Sequence, residues 1–208
     1  MRVIALTGGI GCGKSTASAF FQKMGIPCID ADKLCHELYN SGNPDLLKQI
    51  AARWGNGVFA ADGSLDRAAV ADIVFQNKNE LDALNAIIKP FAVQEVCRRM
   101  EQFRNKGETV ILLDVPLLYE AGWDELADVV IAVWTPPAIR DERLQRCRGW
   151  DLTEIRRRQQ FQMDDNEKLE RADYGIINGG TQAELEAQCR AVWERICSRL
   201  DIQVNDNF

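Results

Sequence analysis

The fold of this chain is decided by the stretch Val3-Ile-Ala-Leu-Thr-Gly-Gly-Ile-Gly-Cys-Gly-Lys-Ser-Thr16. An apolar, β-branched run predicts a buried strand, and it enters a turn with four glycines in six residues. The residues that follow place apolar side chains at helical spacing: Ala17, Phe20, Phe21 and Met24. The stretch also satisfies Gly-x-x-x-x-Gly-Lys-Ser, the P-loop pattern. A lone Gly-x-Gly would fit a turn that binds nothing, whereas a strand before and a helix after favour a phosphate-binding loop.

Such a loop binds phosphate mainly through its backbone. Glycine permits φ > 0 and a close approach of N–H groups to phosphate oxygens, and the helix that begins near Lys14 adds the positive end of its dipole. We expect Lys14 to supply a charge to the β- and γ-phosphates and Ser15 to supply a hydroxyl ligand to Mg²⁺. The predicted nucleotide-binding residues of this stretch are Gly8, Gly9, Ile10, Gly11, Cys12, Gly13, Lys14, Ser15 and Thr16.

Two carboxylates follow predicted strands. Residues 27–29 predict a short buried strand that delivers Asp30-Ala-Asp32 at its carboxyl end, where ligands bind in α/β sheets. Asp32 is predicted to act on the ligand; the alternative is that it only caps a helix beginning at Lys33. Asp114 closes the continuous apolar strand of residues 109–113, a position that resembles Walker B and can reach Mg²⁺. A purely structural carboxylate is the alternative there.

The rest of the chain alternates between helical and strand patterns. Residues 40–105 show helical spacing only, which predicts a helical insertion large enough to hold a substrate, with Pro90 bending or restarting its last helix. Residues 129–134 predict another buried strand, and residues 172–180 a last short strand and a turn. Residues 185–200 predict a closing amphipathic helix.

An arginine-rich segment precedes that last strand. Residues 140–158 contain seven arginines and no lysine, against four acidic residues, in a chain whose net charge is −6. Exclusive use of arginine favours a lid that closes over bound polyphosphate, because the planar guanidinium matches phosphate oxygens. The alternative is a pair of helices with solvated charges.

Composition restricts the class of protein. The 208 residues are 46% hydrophobic and 27% charged, and the acidic balance argues against a general nucleic-acid or membrane binder. No apolar run approaches the roughly 20 residues of a membrane span, and the first strand is too short for a signal peptide. The seven cysteines form no CxxC pair, so we expect a reduced, cytoplasmic protein. Three of them occupy apolar helical positions and are predicted to be buried: Cys97, Cys189 and Cys197.

These elements predict an α/β protein, a three-layer α/β/α P-loop kinase fold with a parallel sheet, a helical substrate-binding insertion and an Arg-rich lid. Residues 1–208 would form a single P-loop kinase domain. Its core would comprise about residues 1–39, 106–139 and 166–208, its insertion about residues 40–105 and its lid about residues 140–165. Such a fold supplies positioning and charge, which are the main requirements of phosphoryl transfer.

Five motifs also resemble those of the dephospho-CoA kinase family, in order and at the family's spacing. They are Thr7-Gly-Gly-Ile-Gly-Cys-Gly-Lys-Ser-Thr16, Ile29-Asp-Ala-Asp32, Leu65-Asp-Arg67, Val115-Pro-Leu-Leu-Tyr-Glu120 and Ala172-Asp173. The resemblance implies phosphorylation of the ribose 3′-hydroxyl of dephospho-CoA, with ATP as donor and Mg²⁺ as cofactor, the last step of coenzyme A biosynthesis. The partner would be this small-molecule substrate, without nucleic acid or membrane, and the protein a monomer or weak homo-oligomer.

The resemblance carries roles to individual residues. Lys14 and its loop would bind ATP, and Asp32 would face the acceptor hydroxyl. The implied residues are, for catalysis, Asp32, Lys14 and Arg143; for nucleotide contacts beyond the loop, Arg158 and Asn178, the latter at adenine; and for metal, Ser15. Asp114 joins Ser15 as a predicted metal ligand through its Walker B-like position. Gln162 matches a further lid position. The chain departs from the family at Lys89-Pro90, where His-Pro is common, and at residues 146–150, which contain one extra residue.

Two other functions fit parts of the sequence. Asn77-Lys-Asn-Glu80 superficially resembles the guanine-reading Asn-Lys-x-Asp of GTP-binding switch proteins, but it has Glu in place of Asp and follows a helical pattern. Asp114 also lacks the following glycine that a switch loop needs. A nucleoside or nucleotide kinase with another acceptor is the second alternative. Nucleotide selectivity separates the switch from the kinases, and an acceptor screen separates the kinases from one another.

Overall fold

The computed structural model describes residues 1–74 and 76–202, the side chain of Arg67 excepted. Its strands are β1 (Arg2–Thr7), β2 (Cys28–Asp30), β3 (Val110–Asp114), β4 (Val129–Trp134) and β5 (Tyr174–Ile177). They form one parallel sheet, as the apolar runs predicted, and its strand order is β2-β3-β1-β4-β5. Because β1 is central and the strands run parallel, their carboxyl ends meet at one edge of the sheet.

Nine α-helices lie within the described residues. They are α1 (Lys14–Lys23), α2 (Ala31–Asn40), α3 (Pro44–Trp54), α4 (Arg67–Val74), α5 (Lys78–Asn105), α6 (Pro137–Arg148), α7 (Leu152–Gln159), α8 (Asp165–Arg171) and α9 (Gln182–Leu200). Short 3₁₀ helices span Asn56–Val58 and Asp124–Leu126. None of the helices in the described part of the chain is both long and apolar enough to span a bilayer.

The N-terminal strand, loop and helix form as predicted. α1 ends in a Schellman turn, in which the N–H of Ile26 donates to the Phe21 carbonyl at 3.3 Å and that of Gly25 to the Gln22 carbonyl at 2.9 Å. α1 and α9 pack together over the apolar side chains of β1, β4 and β5, where Phe21 and Trp193 are buried. This packing fixes the helix that carries the end of the phosphate loop.

The chain divides into two compact units. One contains residues 1–30 and the described residues from Gln102 onward, and it holds the whole sheet. The other, Ala31–Glu101, is helical as predicted for residues 40–105, and an isolated bridge between Phe59 and Leu65 is the only β pairing among its described residues. The second unit has a core of its own: Leu46, Ile50, Val58, Val70, Val74, Leu84 and Ile88.

α5 differs from the sequence predictions in two respects. It continues through Pro90 as one helix and does not restart there, although a proline inside a helix lacks the N–H of one backbone bond and crowds the carbonyl four residues earlier. The predicted burial of Cys97 is wrong, since Cys97 is exposed. The buried stripe of the helix follows i, i+4 spacing through Leu84, Ile88, Ala92 and Val96. Burial of Cys189 and Cys197 on α9 is confirmed.

Candidate active site

The loop between β1 and α1 lies tightly against the ends of β4 and β5. A Cβ atom added to Gly8 would stand 2.4 Å from the Val133 carbonyl oxygen, and one added to Gly13 would stand 2.1 Å from Nδ2 of Asn178. Gly13 also has φ 88°, in the left-handed region, directly before α1 begins. Only glycine meets these demands, which gives a structural reason for both glycines of the P-loop pattern.

Two buried polar side chains donate hydrogen bonds to the backbone of this loop. Nδ2 of Asn178 donates to the Cys12 carbonyl at 2.9 Å, and the Thr135 hydroxyl donates to the same carbonyl at 2.9 Å. Asn178 follows β5 and Thr135 follows β4, so the sheet edge itself supports the loop. The predicted contact between Asn178 and adenine stays a prediction; the bond to Cys12 is a structural role that the sequence did not indicate.

Lys14 and Asp114 meet at the carboxyl edge of the sheet. Lys14 begins α1 and Asp114 ends β3, and Nζ of Lys14 donates to Oδ1 of Asp114 in a close ion pair. Their side chains are 15% and 7% exposed, so the pair is largely shielded from water. In the sheet register, Asp114 lies opposite Leu6 of β1 and Asp30 of β2. Two predicted site residues that are 100 positions apart in sequence are therefore in direct contact.

The donors at this edge suit Mg²⁺. Asp114 offers a carboxylate, and Ser15, exposed in the first turn of α1, offers a hydroxyl. Magnesium prefers oxygen ligands and usually combines one or two protein groups with water and substrate phosphates. Within residues 1–74 and 76–202, no cluster of three or more His, Cys, Asp or Glu side chains could hold a metal ion. Ser15 and Asp114 are two groups, so water and nucleotide phosphates would supply the remaining ligands of an octahedral magnesium ion.

Arg140, at the start of the predicted lid segment, is buried. It is 6% exposed and donates to Asp165 of α8 at 2.6 Å and to Asp141 at 3.1 Å. Asp141 also accepts from Arg156 of α7 at 2.8 Å. Asp165 in turn packs on the phosphate loop, since a Cβ on Gly9 would be 1.7 Å from its Oδ1. Ion pairs thus join α6, α7 and α8 beside the loop.

The two arginines assigned to the site make different contacts. Arg143 donates from Nη1 to the Asn178 carbonyl at 3.0 Å and from Nη2 to the Gly180 carbonyl at 3.2 Å, next to the support of the phosphate loop. Arg158 donates to Glu154 at 2.6 Å and stacks on Trp150, with its guanidinium carbon 4.2 Å from the ring centroid. Hydrogen bonds from Arg157 and Arg158 lower the pKa of Glu154 to about 2.

Gln162 reaches the phosphate loop directly. Its Oε1 accepts a hydrogen bond from the Ile10 N–H at 3.1 Å. The segment between α7 and α8 is therefore anchored to the loop by a side chain at a predicted lid position.

Asp32 lies in the first turn of α2. That helix begins at Ala31, directly after β2, so the alternative of a cap in front of a helix starting at Lys33 is wrong. Asp32 is exposed. A carboxylate in a first turn still interacts favourably with the helix dipole, and such a structural effect is compatible with a chemical role.

Comparison with known proteins identifies the family. A family model described as Dephospho-CoA kinase matches residues 2–184. A dephospho-CoA kinase of Symbiobacterium thermophilum is 42% identical over 197 residues, covering 95% of this chain and 82% of that protein. The solved structure of the dephospho-CoA kinase from Campylobacter jejuni has a TM-score of 0.70 at 26% identity, covering 96% of this chain and 100% of that one. This chain belongs to the dephospho-CoA kinase family.

The fold agrees with kinases beyond the dephospho-CoA kinase family. A shikimate kinase from Acinetobacter baumannii has a TM-score of 0.52 at 16% identity, covering 96% of this chain and 94% of that one. The predicted α/β P-loop kinase fold is thereby confirmed, as is the family resemblance. The residues that suggested a GTP-binding switch have another role: Glu80, near the start of α5, accepts from Arg53 at 2.6 Å and from Trp54 Nε1 at 2.9 Å.

The sequence did not predict the roles of several residues at the site of this dephospho-CoA kinase family member. Arg140 was predicted only as one of seven arginines of a lid, and its buried ion pair with Asp165 was not indicated, because the two residues lie 25 positions apart. Lys168 is 1% exposed, although α8 is rich in charge and no apolar stripe marks it. Thr135 gave no signal beyond the Pro-Pro that follows it. Only the packing of distant segments identifies these side chains.

Proposed function

We propose that this protein transfers the γ-phosphoryl group of ATP to the ribose 3′-hydroxyl of dephospho-CoA, which yields coenzyme A and ADP. Family membership across residues 2–184 carries this proposal. The Lys14–Asp114 pair at the sheet edge supports it, because phosphoryl transfer needs a cation toward the phosphates and a carboxylate toward the metal.

The phosphate loop would hold ATP through its backbone N–H groups, with Lys14 directed at the β- and γ-phosphate oxygens. Ser15 and Asp114 would hold Mg²⁺, which would supply positive charge to offset that of the phosphates. Lys14 and Asp114 are largely buried together, so exchanging their pair for phosphate and metal keeps both charges compensated.

Asp32 would accept a hydrogen bond from the 3′-hydroxyl and take its proton as the new P–O bond forms. Its exposure supports this role. Asp32 follows Asp30 by two residues, and Asp30 lies opposite Asp114 in the sheet register. Because consecutive Cα atoms are about 3.8 Å apart, the chain keeps the Cα of Asp32 within about 8 Å of that of Asp30. A positioned base contributes about 10²–10⁴-fold to rate.

Arg143 and Arg158 would reach phosphate oxygens in a closed lid. Arg158 is 43% exposed, and exposed ion pairs contribute little to stability, so phosphate can displace Glu154. Arg143 is bound to carbonyl oxygens, which a phosphate group can replace as acceptors. A closed lid would also exclude water from the transfer step.

The presence of two compact units supports separate roles for different parts of the chain. We propose a single kinase domain in which residues 40–105 bind the acceptor and residues 140–165 form the lid, on a core of about residues 1–39, 106–139 and 166–208. We further propose a cytoplasmic monomer or weak homo-oligomer without nucleic-acid or membrane partners. All seven cysteines are free, and the net charge is −6, which supports this setting.

The test is turnover with ATP and Mg²⁺ over a panel of acceptors that includes dephospho-CoA, adenosine and AMP. Dephospho-CoA should react fastest, and phosphorus NMR of the product should locate the new phosphate on the ribose 3′-oxygen. Phosphate at another position, or faster turnover of a plain nucleotide, would refute the assignment. Replacing ATP with GTP in the same assay tests the donor.

A further inference from the structure

Lys168 of α8 is a buried cation that has no part in the mechanism above. Its side chain is 1% exposed, whereas lysines lie almost always at protein surfaces. Taking an ammonium group out of water is costly, so a buried lysine persists only where oxygen atoms compensate its charge. Lys168 has two such partners: Nζ donates to the Pro116 carbonyl at 2.7 Å and lies 2.8 Å from Oε1 of Glu120.

The Pro116 carbonyl is a junction between Lys168 and the phosphate loop. It also accepts from the hydroxyl of Thr7, the residue directly before Gly8, at 3.2 Å. One residue earlier, the Val115 N–H donates to the Leu6 carbonyl at 2.9 Å. The segment that leaves β3 after Asp114 is therefore held to β1 on one side and to α8 on the other.

Glu120 extends this anchor toward the lid. Its Oε1 accepts from the Met163 N–H at 2.8 Å, next to Gln162, whose side chain binds the loop at Ile10. α8 itself begins at Asp165, which packs against Gly9. Lys168 thus lies where the phosphate loop, the Asp114 segment and the end of the lid are tied together.

We propose that Lys168 is a positioning residue for phosphoryl transfer. By holding the Pro116 carbonyl and Glu120, it sets the place of the Asp114 carboxylate relative to Lys14 and to Mg²⁺ bound with ATP. The inference rests on the proposed function. Lys168 itself transfers no proton and takes part in no bond that forms or breaks. A displacement of about 1 Å at a reacting centre can cost about 100-fold in rate, so loss of this anchor should lower kcat by about 10- to 100-fold.

The experiment compares Lys168→Met, Glu120→Gln and the double variant. Lys168→Met alone leaves the Glu120 carboxylate without its cation and lowers the melting temperature. The double variant removes that uncompensated charge and should melt close to wild type. Arg199→Met is the matched control, because it breaks an exposed ion pair with Asp173 (2.7 Å) away from the site. Each protein is assayed for melting temperature, for kcat and the two KM values, and by calorimetry for ATP affinity with and without Mg²⁺.

We expect the double variant to keep its stability and its KM for the acceptor, while kcat falls and the gain in ATP affinity from Mg²⁺ shrinks several-fold. Arg199→Met should leave kcat and the Mg²⁺ effect unchanged. If the double variant melts like wild type and retains wild-type kcat and Mg²⁺ effect, Lys168 is structural and the proposal is overturned. If both Lys168 variants fail to fold, Glu120→Gln decides: a several-fold fall in kcat supports the proposal, and wild-type behaviour overturns it.

This outcome is separable from the identity of the acceptor. Calorimetry of ATP and Mg²⁺ requires no acceptor, so the effect on metal-assisted binding can be measured whatever the wild-type protein phosphorylates. Failure of wild type to phosphorylate dephospho-CoA would refute the proposed function alone. An unchanged Mg²⁺ effect in stable Lys168 variants would refute the positioning role alone.

Discussion

At the scale of single residues, Lys14 and Asp114 depend on one another, since each compensates the charge of the other in a largely buried pair. Lys14→Ala should lower kcat by about 10²–10³-fold, because it removes a charge aimed at the transferring phosphate. It should also lower the melting temperature by a few degrees, since Asp114 loses its cation. Lys23→Ala, at the exposed end of the same helix, is the control. A folded Lys14→Ala protein with normal turnover would contradict the P-loop assignment.

Asp32 allows chemical and structural roles to be separated. Asn has nearly the shape of Asp but neither its charge nor its basicity, so Asp32→Asn should lower kcat by about 10²–10⁴-fold and leave ATP affinity close to wild type. Asp45→Asn, which changes another first-turn aspartate on α3, controls for the helix dipole. Steady-state kinetics with both variants gives the answer. Equal losses of ATP affinity and kcat would point to a metal role instead.

Cys12 is the one cysteine inside the phosphate loop. It is 1% exposed, and burial raises the pKa of its thiol to about 11, so the reactive thiolate is scarce at neutral pH. Iodoacetamide at pH 7.5 should therefore modify the exposed Cys97 and Cys147 first, with little loss of activity. Peptide mass mapping identifies which cysteines are modified at each time point, and the remaining turnover is measured in the same samples. Rapid modification of Cys12 in the folded protein would contradict it.

At the scale of elements, α7 supplies a matched pair of arginines. Arg157 and Arg158 both bind Glu154, with side chains 50% and 43% exposed, but only Arg158 matches a lid position and stacks on Trp150. Arg158→Ala should lower kcat by about tenfold or more, since a charge that stabilises the transition state is lost. Arg157→Ala should change kcat less than twofold. Kinetics and melting curves for both variants suffice, and similar effects on kcat would show that the pair is structural.

Glu95 on α5 should make the stability of the protein depend on pH. Hydrogen bonds from Arg98 and Arg99 lower the pKa of Glu95 to about 2, against the opposing effect of partial burial. A folded-state pKa below the ordinary value of 4.5 means that the stabilisation is present above about pH 4.5 and disappears as pH falls toward 2. Glu95→Gln should melt about 1–3 °C below wild type at pH 6, and the difference should narrow at pH 3. A difference in melting temperature that stays the same at pH 6 and pH 3 would contradict the lowered pKa of Glu95.

Elements with a clear local hydrophobic pattern were predictable from sequence. Side chains whose charge is compensated by residues far away in the chain were not. The strands Val110–Asp114 and Val129–Trp134 are short continuous apolar runs rich in β-branched residues, which are typical of buried parallel strands. On α5 the spacing indicated the buried stripe but not its edge, so Cys97 was placed on the wrong side. On α6 and α8, the burial of Arg140 and Lys168 was not predictable, because their compensating oxygens come from other segments.

At the scale of the whole molecule, the sheet order accounts for what the sequence could and could not say about the site. Strand ends meet at one edge, so the P-loop, Asp30 and Asp114 were predictable as neighbours once each was assigned to a strand end. The contacts behind the loop were not predictable in this way. Asn178 and Gln162 reach it from more than 150 residues away in the chain, and local patterns carry no information on such pairings.

The central position of β1 also bears on how the protein is made. β1 is synthesised first, yet its two partners begin only at Val110 and Val129. A ribosome adding about 5–20 residues per second needs about 5–20 s to reach the first of them. Throughout that interval the most apolar strand of the nascent chain has no sheet to join, which makes it a binding site for chaperones and a seed for aggregation. Of the five strands, β1 thus waits longest between its own synthesis and that of its native neighbours.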